Sequence, residues 1–194
     1  MHILIPFALT AIMMGAFLVT ERRLRKDASS TTLETTEYDK GTTRLVGTAF
    51  GASWLVLFLS LLANYFRIGS LEPSILFNTV GVFLMLFGFT LRTVAARTLG
   101  RFYSRTLRVK DDHRVVSEGM YQWIRHPGYL GMIVMFLGAG VTVANFIVIS
   151  VVAVLIVPAY LKRISVEESM LSNTLGPEYV EYMKRTKRLI PFLY

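Results

Sequence analysis

The sequence predicts an all-α integral membrane protein of five transmembrane helices, the last two forming a helical hairpin. Two observations carry this. Hydrophobic residues make up 53% of the 194 residues and charged residues 18%, with a mean hydropathy of +0.49, whereas a soluble domain carries about 25% charged residues. The chain is nevertheless basic, at net charge +8, and its charges are confined between long uncharged runs. Those runs are 3–20, 45–66, 73–91 and 128–161, of 18, 22, 19 and 34 residues. A helix crossing about 30 Å of hydrocarbon needs about 20 apolar residues, so the first three runs supply one span each.

Each element follows from its local sequence. The first span (3–20) has no positive charge before it and no small-residue cleavage site, so it reads as a permanent helix and not as a signal peptide. The inner loop after it (21–44) is rich in Ser, Thr and Glu and either extends the first span or covers the site. Gly47 and Gly51 in the second span (45–66) form a small-residue motif expected at a helix–helix contact. The third span (73–91) continues as helix into the loop 92–127. Within that loop, 105–109 and 113–116 alternate well enough to predict a short β-hairpin. The run 128–161 would be about 51 Å long as one helix, too long for one span. Gly138, Gly140 and Asn145 near its middle divide it into a hairpin of 128–142 and 146–161, one arm crossing obliquely. The tail continues as helix past Glu168 until Gly176 and Pro177, and Pro177 opens a last helix at its first position. In that helix Tyr179, Tyr182 and Met183 share one face, which predicts that it lies on the bundle or membrane surface. Pro6 and Pro158 are expected to bend their helices. The whole chain, 1–194, is one membrane domain.

Charge gives the topology. The segments after the first, second, third, fourth and fifth spans hold six, one, eight, no and six Lys and Arg, so 20 of 21 fall on one side. Positive charge marks the cytoplasmic face, which puts the N-terminus outside and the C-terminus inside. Twelve of the 13 acids also lie inside, Glu72 being the exception. Any active site is therefore expected at the cytoplasmic face. The basic balance is read as topology and contact with membrane lipids, and nucleic acid is not an expected partner.

Several chemistries are excluded or disfavoured. There is no cysteine, so disulfides, thiolate nucleophiles, thiolate zinc sites and iron–sulfur clusters are ruled out. Nucleotide and hydrolase fingerprints are missing. With three His, one of them at position 2, no metal site is expected. Uncharged span interiors and the lack of a repeat argue against transport.

Two polar clusters remain. The first is Gly119, Tyr121, Trp123, Arg125, His126, Pro127, Tyr129 and Gly131, where the loop re-enters the membrane. A helix N-terminus opened by Pro127 favours an anion, with Arg125 and His126 as added donors. The plain alternative is an interfacial anchor of aromatic and basic residues, which suits Trp123 best. The second cluster is Arg163, Glu167 and Glu168. Arg163 and Glu167 stand at i,i+4 on one helical face, and Glu168 is turned by about 100°. Because the two helices form a hairpin, both clusters lie at one membrane depth, and that convergence favours a site over an exposed ion pair. The segment Gly100–Tyr103 either lines a pocket or ends a helix, and His113 reads as a surface histidine.

These motifs resemble the isoprenylcysteine carboxyl methyltransferase family and, in the same region, the related phospholipid N-methyltransferases. The first block is met at the eight residues from Gly119 to Gly131 named above. The second is met at Arg163, Glu167 and Glu168, and the third at Gly176, Tyr179, Tyr182, Arg188 and Pro191. The resemblance covers about 100–194, the expected catalytic region. It implies S-adenosyl-L-methionine as cofactor, leaving as S-adenosyl-L-homocysteine, in a cytoplasmic pocket built from the loop before the fourth helix and the tail. Cofactor contacts carried over are His113, Arg114, Val115, Val116, Tyr121, His126, Pro127, Gly128, Tyr129, Gly131 and one or both of Glu167 and Glu168. Arg163 and Glu167 are the implied catalytic residues, and Arg163 with Arg125 the implied substrate contacts. A glutamine of the family has no counterpart here, and Arg108 or a neighbour replaces it.

The expected reaction is methyl transfer to the carboxylate of a prenylcysteine-like or other lipophilic substrate, whose chain arrives laterally from the bilayer. A carboxylate is already ionised and needs orientation, which the planar fork of Arg163 supplies. Three alternatives stand beside it. A phospholipid N-methyltransferase needs a base and an amine that Arg163 would repel. A membrane NADPH-dependent sterol-type reductase has a similar aromatic His-Pro segment, but Glu167 and Glu168 are poor company for the cofactor's extra phosphate. A non-catalytic membrane protein would leave both polar clusters without a task.

Overall fold

The computed structural model of the chain describes residues 4–24, 39–72, 74–103 and 114–191. Six α-helices account for most of them: α1 Leu4–Leu24, α2 Thr42–Tyr65, α3 Ile75–Leu99, α4 Pro127–Thr142, α5 Phe146–Leu175 and α6 Pro177–Arg185. Short 3-10 turns, Gly100–Phe102 and Gly119–Gln122, follow α3 and precede α4. Helices α1, α2, α3 and α5 are long and apolar enough to cross a membrane. The fifth expected span is α4, which has only 16 residues and is about 24 Å long. Its buried face includes Met132, Met135, Phe136 and Ala139, so it is an interior helix screened by α1, α3 and α5. The five-span expectation thus becomes four full-length helices and a short central one.

The seam between α3 and α4 fixes the bundle. A Cβ at Gly88 would sit 2.5 Å from the Gly131 carbonyl oxygen, and one at Gly131 2.6 Å from that of Gly88. Gly81 against Thr142 and Gly138 against Met85 are equally tight. Small residues let backbones approach where lipid gives no hydrophobic drive. The motif expected to do this, Gly47 and Gly51, does not: neither has an atom within 4 Å of its added Cβ, and both are exposed on α2. Among the described residues, the face of α2 that carries that motif has no neighbouring helix against it.

The hairpin arms start and stop within a residue of their expected limits, and α5 runs on through the tail to Leu175, stopping at Gly176 as expected. Helix α3 extends to Leu99 as expected, and α1 extends to Leu24, one of the two readings of the loop that follows it. Helix α5 is unbroken at Pro158. Pro6 lies in the first turn of α1, where no intrahelical bond is lost. Residues 114–117 form no strand, and the other arm of the expected β-hairpin, 105–109, lies outside the described residues.

The end of the bundle at the α4–α5 turn, which the charge pattern predicts to be the outer one, is closed by neutral hydrogen bonds. Asn145 is fully buried. Its amide donates to Asn64 Oδ1 (2.7 Å) and the Ile68 carbonyl (2.9 Å), and its Oδ1 caps α5 by accepting from the Val148 N–H (3.1 Å). Asn64 in turn donates to the Val143 carbonyl at 2.7 Å. The tight turns place Gly69 at φ 71°, where a Cβ would strike Ile147.

Candidate active site

The opposite end, the inner one by the same expectation, is built differently, from charged side chains on α1, α3 and α5 and on the segments that lead into α2 and α4. The start of α4 is held by the C-terminal tail. Arg125 and His126 donate their N–H groups to the carbonyls of Lys187 (2.8 Å) and Arg188 (3.0 Å), and Lys187 N–H donates back to Trp123 (2.9 Å). Arg125 spends its guanidinium on the Met183 carbonyl (3.1 Å), the Thr186 carbonyl and Glu168 Oε1 (2.7 Å). Arg188 Nε reaches the other oxygen of Glu168 at 2.9 Å. Glu168 is therefore the brace of the tail.

Glu167, one residue earlier, turns away from that brace. Its Oε2 is buried without a hydrogen-bond partner and lies 3.8 Å from His126 Nδ1. His126 is 6% exposed. Its Nε2 stands 3.4 Å from Glu168 Oε1 but without hydrogen-bond direction, and its ring stacks on Tyr129 at 5.5 Å. No side chain caps α4 at His126. Tyr129 links this group to Arg163, whose Nε donates to the Tyr129 hydroxyl at 3.4 Å.

Arg163 is held from the opposite side by Asp39, just ahead of α2. The two side chains are 3% and 0% exposed and form a close ion pair. Arg163 also donates to the hydroxyls of Thr42 (2.9 Å) and Thr43 (2.8 Å). Asp39 accepts from the Thr43 N–H (3.0 Å) and hydroxyl (2.8 Å) and from the Thr42 hydroxyl (3.0 Å). Burial alone would raise the Asp39 carboxyl, but the Thr43 hydrogen bonds and the Arg163 charge outweigh it and hold the group below the usual range.

A second buried arginine repeats the device. Arg92 on α3 donates to Glu21 at the end of α1 (3.0 Å) and to the Tyr103 hydroxyl, and Tyr103 donates to Glu21. The Arg92 charge also sits 5.1 Å from the centre of the Tyr103 ring. Tyr103 thus both follows the turn that ends α3 and lines a cleft.

That cleft has two lobes. One, of about 390 Å³, is lined by Arg92, Ala95, Tyr103, Tyr121, Gly128 and Tyr129 among others. The other, of about 460 Å³, is lined by Arg114, Val115, Val116, Leu171, Leu175 and Tyr179 among others. Leu99, Tyr121, Arg125 and His126 belong to both. Burial raises the hydroxyls of Tyr121 and Tyr179, and that of Tyr182 to about 12, so all three serve as neutral donors. Tyr182 donates to the Tyr121 carbonyl at 2.6 Å, which sets α6 against the wall of the cleft, as its aromatic face predicts. Outside the cleft, an apolar groove of about 800 Å³ runs between α2 and α5, lined by Leu45, Ala49, Ala52, Leu155, Pro158, Ala159 and Lys162 among others.

Of the expected site residues, Arg114, Val115, Val116, Tyr121, Arg125, His126, Gly128 and Tyr129 line the cleft. Pro127 is buried as the first residue of α4, and Gly131 faces α3. Glu167 and Arg163 stand one side chain behind the wall, through His126 and Tyr129. Glu168 and the guanidinium of Arg125 are committed to the tail, and His113 lies outside the described residues. Trp123 is 57% exposed, in keeping with an interfacial anchor. Sequence reasoning missed Asp39, Glu21 and Arg92 as members of the site. One signal was present for Asp39: an aspartate three and four residues ahead of Thr42 and Thr43 is a helix-start pattern.

Fold and cleft together define a helical membrane protein with a polar cleft at one end of its bundle, beside an apolar groove. The chain matches the sequence model of the isoprenylcysteine carboxyl methyltransferase family over residues 80–173. It is 28% identical over 151 residues to protein-S-isoprenylcysteine O-methyltransferase B of Arabidopsis thaliana, covering 77% of each chain. With the Tribolium castaneum protein-S-isoprenylcysteine O-methyltransferase it shares 30% over 144 residues, 73% of this chain and 50% of that one. A solved structure of the eukaryotic intramembrane Ras methyltransferase superposes with a TM-score of 0.60 at 26% identity, over 76% of this chain and 52% of that one. The chain thus spans about three quarters of the plant relative and about half of the other two.

Proposed function

We propose that the protein is an integral-membrane methyltransferase that uses S-adenosyl-L-methionine to methylate the carboxylate of a prenylcysteine-like lipophilic substrate at the cytoplasmic face. The observation that carries this is the position of Arg163. It touches Tyr129, which lines the polar cleft, and it follows Ala159 and Lys162, which line the apolar groove. A substrate with a carboxylate head and an apolar tail is suited to a guanidinium between those two spaces.

The cleft residues fit the cofactor. Val115, Val116, Leu171, Leu175 and Tyr179 offer an apolar seat for a purine. The uncapped start of α4 with His126 suits a carboxylate, and the unpartnered Oε2 of Glu167 suits an amine. The bound cofactor supplies an activated methyl group on a sulfonium. The protein's part is to orient the acceptor through Arg163, keep His126 aimed through Glu167 and Tyr129, and exclude water with the tail that Glu168 clamps. That is catalysis by positioning. The segregation of positive charge supports a cytoplasmic site with the N-terminus outside.

The test is incubation of the purified protein in lipid with methyl-labelled cofactor and two acceptors, an S-prenylcysteine and a phosphatidylethanolamine. The label should appear as a base-labile methyl ester on the first, and Arg163→Ala should abolish it. Label on the phospholipid amine alone would favour N-methylation and overturn the carboxylate assignment.

A further inference from the structure

We infer that Asp39 is a positioning residue for methyl transfer, acting through Arg163 by cancelling its charge and fixing its aim. This rests on the reading of Arg163 as the contact for an acceptor carboxylate.

The charges of the reaction set what the site must do. A carboxylate oxygen forms the new C–O bond, the methyl–sulfur bond breaks with its electron pair left on sulfur, and no proton moves. An anion and a cation become a neutral ester and a neutral thioether, so the acceptor loses negative charge on the way to the transition state. A full positive charge beside that acceptor would stabilise the starting carboxylate more than the transition state. Interactions of that kind tighten substrate binding and slow the chemical step. A guanidinium is well shaped to orient a carboxylate, but its charge works against this reaction.

Asp39 removes that conflict. It is fully buried and paired with Arg163, so in this low-dielectric place the two approach a neutral unit. It is also bolted down, because Thr42 and Thr43 donate to it while accepting from Arg163. A carboxylate held by its own helix start is poorly placed to leave when a substrate arrives. It sets both the charge and the aim of Arg163. The ion pair crosses 124 residues of sequence and links the N-terminal half of the chain to the catalytic half.

The experiment compares wild type with Asp39→Asn and Asp39→Glu, full length and in lipid, using an S-farnesylcysteine derivative as acceptor. Asp39→Asn leaves Arg163 charged, so KM should fall about three- to tenfold and kcat should fall by about as much, leaving kcat/KM within about threefold. Calorimetry with the acceptor in the presence of S-adenosylhomocysteine should show the carboxylate bound tighter than in wild type, with the matching carboxamide unchanged. Asp39→Glu keeps the charge and should stay close to wild type in this carboxylate-to-carboxamide ratio. If Asp39→Asn loses S-adenosylhomocysteine binding and so is misfolded, Asp39→Ser, which still offers Thr43 an acceptor, takes its place. A raised KM, or KM and kcat both unchanged with the same ratio as wild type, would overturn the inference. A wild-type protein that methylates no prenylcysteine would instead overturn the function on which it rests.

Discussion

The two ends of the bundle solve the same problem in opposite ways. Each must satisfy polar groups where helices stop and the chain turns. The outer end does so with neutral amides: Asn145 and Asn64 make four hydrogen bonds to backbone and to each other, and each has a defined partner. The inner end uses two buried arginines, a histidine and several carboxylates, and leaves Glu167 Oε2 and Arg92 Nε without hydrogen-bond partners. A buried polar atom left unmatched costs stability. It is tolerated where a ligand completes the set, so on the proposed function one end serves stability and the other binding.

The sharpest way to break that contrast is at Glu167. Glu167→Ala should weaken S-adenosylhomocysteine binding by roughly 100-fold or more and cost less stability than Asn145→Ala, because its Oε2 makes no hydrogen bond to lose. Titration calorimetry and a melting curve on the same sample read both. At the outer end the pattern should invert. Asn145→Ala removes a helix cap and two further hydrogen bonds and should destabilise by about 2–4 kcal/mol, while the folded fraction keeps its cofactor affinity.

Glu168→Gln tests the brace between these extremes. It weakens two charged contacts, to Arg125 and Arg188, and should cost about 1–3 kcal/mol. It should also raise protease sensitivity of the tail and lower cofactor affinity less than Glu167→Ala does. The smallest effect is at Asp39 under acid. Its folded carboxyl titrates below the ordinary aspartate range, so its contribution is complete above the unfolded value. It is lost as pH falls through the folded one. Wild type should therefore lose stability on acidification below about pH 4 more steeply than Asp39→Asn.

What could be read from the sequence, and what could not, divides along range. The uncharged runs gave helices because a bilayer leaves a backbone few other choices. The hairpin was legible because Asn145 stands between two apolar arms, and its side chain caps the second. The clusters around His126 and Glu167 were legible because spacing and hairpin geometry put them at one depth. The partners of Arg92 and Arg163 were not, because Glu21 and Asp39 come from 71 and 124 residues away and no local pattern encodes that pairing. Glu167 and Glu168 look equivalent as neighbours, yet one turn of about 100° sends them to different tasks. The glycine seam was missed because its glycines are spread over two helices, whereas Gly47 and Gly51 stand in one and face outward.

The central claim is that the unmatched groups at the inner end form a cofactor site. Calorimetry with S-adenosylhomocysteine on the intact protein in detergent tests it most directly. Wild type and Asn145→Ala should bind with similar affinity and one-to-one stoichiometry, and His126→Ala and Glu167→Ala should each lose most of that affinity. No binding by wild type, or binding untouched by both inner-end substitutions, would contradict the account.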